Sequence, residues 1–309
     1  MSPFLTASLI LTLRAAPIPT TDGRDIEQGV VAAVNAERAK RGAAALSRSD
    51  ALDGAARERA GAVASAEDAA SAEISGDALA RLVERHGYED RAVAELVLVG
   101  GTDVAERLER LAESSPDEFA EAVSAQYRDL GVGVLPTEGG GFVWALVFGL
   151  SVGDDFRTKT AGLSDLTAVR KRMLERVNAE RGARRLAPLR ENGSLDVAAQ
   201  AHADDMIRRS YYGHASPEGT SALDRAYRAG YGAVAVGENI AEGQTSVDEV
   251  VESWMESAVH RAEILSVTMK EIGIGLAYGK NARGWQIVWV QDFGVPRAAD
   301  TSRARRRPR

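Results

Sequence analysis

The chain of 309 residues contains no cysteine. Disulfides, thiolate metal ligands and cysteine nucleophiles are therefore excluded, although the compartment is not fixed by that absence. Aromatic residues make up only 6% and histidines number four, so each histidine carries weight in any chemical reading. Beyond a short N-terminal run, no stretch is long and apolar enough to cross a bilayer. Basic residues number 38 against 45 acidic ones, a formal net charge of -7, which gives no reason to expect a nucleic-acid partner. The one basic run, Arg303 to Arg309, reads as a solvated tail. HExxH and GxxxxGK[ST] are both missing, which removes support for the corresponding zinc proteases and phosphate-cradling loops.

What is there describes a packed protein. Hydrophobic content is 45% and charged content 27%, over a length that suits about two domains. Phe4 to Leu13, FLTASLILTL, has the length of a signal-peptide core. No Lys or Arg precedes it, and Pro17 sits badly for cleavage after Ala16. Residues 1–22 are expected to be a signal peptide and spacer, and the protein to be secreted or held in the cell envelope.

The sequence then says the same thing twice. Val34-Asn35-Ala36-Glu37-Arg38 recurs as Val177-Asn178-Ala179-Glu180-Arg181, a spacing of 143 residues. Leu52-Asp53, Gly87-Tyr88 and Glu95 recur at the same spacing as Leu195-Asp196, Gly230-Tyr231 and Glu238. The spacing drifts to 142 at Leu130–Val134 against Ile272–Leu276, and to 145 at Trp144 and Phe148 against Trp289 and Phe293. Collinear matches over this length mean a duplicated domain, not a solenoid of short units. The expected division is 23–150, a Gly/Ser/Asp/Thr-rich linker at 151–165, 166–296, and a tail at 297–309. Within each copy, helical periodicity comes first and strands last. In the second copy Leu195 to Met206 reads as a helix, and Ile272–Ala277 with Gln286–Phe293 as a hairpin turning over Lys280–Gly284. In the first, a helical run is expected over Leu46 to Val63. Such an order implies a layered α/β domain.

Chemistry concentrates in the second copy. His214 lies between Gly213 and Ala215-Ser216-Pro217, which places it in a loop. Glu238 sits in the apolar run Val234–Ala241, where a carboxylate is partly buried and needs a partner; His214 and His260 are the candidates. His260 follows the amphipathic stretch Val247–Ala258, whose start is marked by Ser246 and Glu249, and is expected at or just past that helix's end. Two imidazoles and a carboxylate could hold a divalent metal with an open position, so His214, His260 and Glu238 are the candidate ligands. Ser216 is the nearest hydroxyl. His202, inside the predicted helix, reads as a helix-surface residue.

These residues, taken with LERVNAER, GHASPEG, GENIA, WMESAVHRAEIL, IGIGLA and WVQDF, resemble the CAP superfamily of cysteine-rich secretory, antigen 5 and pathogenesis-related 1 proteins, in its bacterial, cysteine-free form. The resemblance covers nearly all of Leu174 to Phe293. It implies two tandem α-β-α sandwich domains, an α/β fold, with a central cleft. That cleft carries two histidines and two acids and binds a divalent metal, zinc for instance, in some members. By motif the histidines are His214 and His260 and the first acid is Glu238, with Asn239 and Ser216 beside them. The second acid departs: where many members carry Glu this chain has Ser257, with Glu256 one residue earlier, and Glu263 stands where Asn is common. The first copy keeps Glu95 but places Ser71 where His214 stands, and Asp117 or Glu118 where His260 stands. It reads as a degenerate domain retained for packing or partner binding. Two functions follow as expectations: a non-catalytic module binding a small ligand or envelope component, or a metal-assisted hydrolase of peptide or cell-wall material.

Overall fold

The computed structural model describes residues 23–66, 73–138 and 140–297. The proposed signal segment, the basic tail and Ser71 lie outside the described residues. The chain divides after Phe156 into two compact units. The first runs α1 (Gly23–Lys40), β1 (Ser47–Arg48), α2 (Asp50–Ala64), α3 (Gly76–Arg85), β2 (Asp90–Val99), α4 (Val104–Ser114), α5 (Pro116–Ala122), β3 (Asp129–Pro136) and β4 (Phe142–Ser151). After α6 (Val152–Thr160) come α7 (Leu166–Ala183), β5 (Arg190–Glu191), α8 (Gly193–Arg209), α9 (Ala222–Arg228), β6 (Ala233–Glu242), α10 (Val247–Glu256), α11 (Ala258–Ile264), β7 (Glu271–Asn281) and β8 (Gly284–Pro296). The sheets have the orders β1-β3-β4-β2 and β5-β7-β8-β6, so β6 is an edge strand. The two-residue strands pair parallel and the rest antiparallel.

The alternating glycines of IGIG and GVGV set the layer spacing. A Cβ on Gly273 would lie 2.1 Å from the Leu195 carbonyl carbon, and one on Gly275 2.3 Å from that of Ala199. Gly131 and Gly133 meet Leu52 and Ala56 in the same way, at 2.1 and 2.2 Å. Helices α8 and α2 thus lie backbone-on-strand, with Ala198, Ala199 and Ala203, or Ala55, Ala56 and Ala60, buried at the contact. Successive strand residues face opposite ways, so the buried Ile272 and Ile274 turn to the other side. There α7 is anchored by Arg170 Nε donating to the Ile274 carbonyl at 2.9 Å. Helices on both faces of one sheet make each unit an α-β-α sandwich.

The duplicated Val-Asn-Ala-Glu-Arg segment is a clamp. Asn178 both accepts from and donates to the Leu189 backbone, at 2.7 and 3.0 Å, and Asn35 does the same to Leu46 at 2.8 and 3.1 Å. Arg181, 1% exposed, donates to the carbonyls of Ala187, Ile264 and Ser266, while Arg38, fully buried, reaches Ala44, Ser124 and Tyr127. A buried guanidinium must have every donor met, and backbone carbonyls at the end of α11 are part of the answer.

Three local expectations shift. The run 46–63 begins with a strand residue pair and becomes helix only at Asp50, where Ser49 accepts from the Leu52 amide. The segment expected as a linker, 151–165, carries α6 and a 3-10 turn over Ala161–Leu163: Ser151 Oγ accepts from the Asp154 amide at 3.0 Å and donates to its carboxylate at 2.6 Å, so this Ser and Asp start a helix within it. The hairpin turn is shorter than expected, two residues between Asn281 and Gly284.

Candidate functional site

Glu238 stands in the middle of edge strand β6, and its register partner on β8 is Asp292. Its side chain is 4% exposed. Oε1 accepts from His214 Nδ1 at 2.9 Å, and Oε2 accepts from the Arg225 guanidinium. His214 lies in the loop between α8 and α9, as its Gly and Pro neighbours suggest, and is 59% exposed. The hydrogen bond to Glu238 holds its imidazole above the usual histidine range, against a smaller opposing effect of burial. The other ring nitrogen faces outward from this bond, so the imidazole is fixed at one end and presented at the other.

Arg225 was not singled out from the sequence. It donates to the His214 carbonyl at 3.1 Å and to the Thr220 carbonyl at 3.0 Å as well as to Glu238, and so organises the whole loop. The signal was its place on α9, on the stripe that continues from Ala222 to the buried Ala226. His202 is corrected: it is 1% exposed, not on the helix surface. Its helical spacing from Leu195, Ala199 and Met206 continues a buried stripe. Nε2 donates to the Gly213 carbonyl at 3.0 Å and lies 3.8 Å from Glu238 Oε2. Burial pushes its pKa down, opposed by the nearby Glu238 charge, so it stays neutral.

Asp292 was also missed. It is fully buried. Among the described residues no donor reaches either of its oxygens, and the group it faces is Glu238. Burial first, and the charge of Glu238 second, raise its carboxyl well above the usual range. Its surroundings thus favour the neutral form of the Asp292 carboxyl. An acid inside the otherwise apolar strand Trp-Val-Gln-Asp-Phe was the available signal.

His260 reaches β6 from the other side. Asn239 follows Glu238 and so points to the opposite face; fully buried, it donates to the His260 carbonyl at 3.1 Å and to Gln291 at 3.3 Å. His260 is not at the end of α10. That helix stops at Glu256, Ser257 turns extended, and His260 rides on the separate α11. Burial lowers its pKa, with a further contribution from His214, the one sign of interaction between the two imidazoles. Gly237 lies beneath α11, where a Cβ would come 2.1 Å from the Glu263 carboxylate. Glu256 is exposed; it takes part through its backbone, where its carbonyl accepts from Arg261 at 3.3 Å. Ser216 closes its own turn: Oγ accepts from the Thr220 amide and donates to Glu218, both at 3.1 Å. A cavity of about 570 Å³ between α8 and α9 is lined in part by Val197, Ala201, His202, Arg209, Arg225 and Arg228.

As arranged, these groups do not fit a divalent ion. Both oxygens of Glu238 are engaged, and among the described residues no three His, Cys, Asp or Glu side chains converge as a metal needs.

In the first unit the counterpart Glu95 is held by Arg59 through two hydrogen bonds, 2.7 and 3.0 Å, with both side chains 4% exposed. Its register partner is Val147 where the second unit has Asp292.

The model of the cysteine-rich secretory protein family, CAP, matches residues 31–148 and 174–293. The uncharacterized protein YkwD of Bacillus subtilis (strain 168) is 35% identical over 136 residues, 44% of this chain and 51% of that protein. The chain thus spans about half the length of that relative. Among solved structures, an outer surface protein from Borrelia burgdorferi is 20% identical with a TM-score of 0.36, covering 41% of this chain and 92% of that one. An extracellular protein containing a SCP domain from Bacillus anthracis str. Ames is 19% identical with a TM-score of 0.37, covering 53% and 59%.

Proposed function

This chain belongs to the cysteine-rich secretory protein (CAP) family, twice over, and from that premise we propose that its second domain is a non-catalytic binding module working outside the cytoplasm. The observation that carries the reading is the imidazole of His214: 59% exposed, yet fixed at 2.9 Å on a buried carboxylate whose other oxygen is tied to Arg225. A side chain pinned in that way loses little freedom on meeting a ligand. Among the described residues the hydroxyl nearest in sequence, Ser216, is spent on Glu218 and is not an activated nucleophile. Export is supported by the apolar run Phe4–Leu13. Among the described residues no helix is long and apolar enough to cross a membrane.

The proposed ligand is an envelope component. Soluble peptidoglycan fragments are the probe, titrated calorimetrically and then weighed by mass spectrometry. The expected result is saturable binding with fragment masses unchanged, weakened at least tenfold, about 1.4 kcal/mol, in His214→Ala. Cleavage of the fragments by the wild type and not by the variant would establish the hydrolase reading instead, and absence of binding would sink the module for this ligand.

A further inference from the structure

The acid of the cleft never stands without a guanidinium, but the two units draw it from different helices. In the first, Arg59 on α2 forks onto Glu95 at 2.7 and 3.0 Å. In the second, Arg225 on α9 takes Glu238 Oε2. The 143-residue spacing makes the exchange explicit. Arg59 falls on His202 and Leu82 falls on Arg225. Where α2 supplies the arginine, α3 supplies a buried leucine; where α9 supplies it, α8 supplies a neutral histidine. One guanidinium per acid is kept while its origin moves, as expected if the buried carboxylate demands a permanent cation and the chain must provide it.

We propose that this guanidinium, Arg225 in the second domain and Arg59 in the first, is the resident cation of the cleft acid, standing where a divalent metal would otherwise act. Each domain then folds without metal, and Arg225 is the positioning residue that holds His214 through Glu238 and through its own loop carbonyl. The inference does not depend on which ligand His214 meets. His202, 3.8 Å from Glu238 Oε2, and His214, 2.9 Å from Oε1, flank the acid on either side of this cation, and removal of Arg225 frees Oε2.

The test uses the full chain and zinc chloride as the probe. The wild type should melt at the same temperature with zinc, with EDTA or with neither, and should show no stoichiometric zinc uptake by calorimetry. Arg225→Gln should bind zinc at least tenfold more tightly than the wild type, and adding His214→Ala should abolish the gain. Stoichiometric zinc uptake by the wild type that His214→Ala removes would overturn the proposal, as would an Arg225→Gln variant that folds and gains no affinity. Folding supplies a second readout. Arg225→Leu alone should lower the melting temperature, and Arg225→Leu with His202→Arg, which copies the first unit's arrangement, should recover most of the loss. A double variant no more stable than Arg225→Leu would count against the exchange.

Discussion

In the second unit His214 and His202 flank Glu238 while His260 lies on α11, and their environments push the three apart. His214 shares a hydrogen bond with Glu238 and is held above the usual range, whereas burial lowers His202 and His260. An NMR titration should therefore show one imidazole, His214, with a midpoint above the reference value of about 6.5, and two below it. In Glu238→Gln the His214 midpoint should fall back to that value or lower. A His202 that titrated first on lowering the pH would contradict the placement. A raised folded pKa means the protonated His214–Glu238 pair contributes fully to stability below the unfolded value, and that contribution is lost as pH rises through the folded one. Because His214 is more than half exposed, solvent screens the effect and it is small. The loop position of His214 and the burial of Glu238 were legible from Gly, Pro and apolar neighbours. Arg225 and His202 were not, because a charged or polar residue on a helix's apolar stripe is read by default as facing water. Only the partner it finds in space reverses that reading.

At the scale of elements, strand β7 and helix α8 meet with no side chain between them at Gly273 and Gly275. Period-two patterning announced the strand. It could not say why glycine occupies every second place, since the reason is a helix backbone that arrives from elsewhere in the chain. Gly273→Ala would set a methyl 2.1 Å from the Leu195 carbonyl carbon, backbone that cannot swing aside. Overpacking of that kind costs about 1–3 kcal/mol or more. The expected outcome is a clear drop in the urea midpoint, with Gly131→Ala behaving alike in the first unit. Gly193→Ala, with no atom within 4 Å and at the first residue of α8, should be neutral or slightly stabilising. The division of α10 from α11 was hidden for a similar reason. Apolar spacing carries smoothly through Ala258, and only the extended backbone of Ser257, with φ -79° and ψ 123°, breaks it. That break sets His260 on its own short helix, where Asn239 holds the His260 carbonyl and Arg181 that of Ile264.

Across the whole molecule the two units bury the same acid in different company, and this predicts how they respond to pH. The duplication itself was readable from the constant spacing, but the difference between the copies rests on register: Val147 faces Glu95, while Asp292 faces Glu238. The first unit balances one carboxylate with one guanidinium. The second has two carboxyls against Arg225, and burial together with the Glu238 charge pushes the Asp292 carboxyl well above the usual range. A carboxyl raised in the folded state contributes stability that is complete below its unfolded value, near 3.8, and is lost as pH rises toward the folded one. Asp292→Asn keeps the shape and cannot ionise, so it removes this dependence. Its melting temperature should exceed that of the wild type at pH 8, and the advantage should shrink to nothing at pH 3.5. If the variant is less stable than the wild type at both pH values, Asp292 is ionised in the fold.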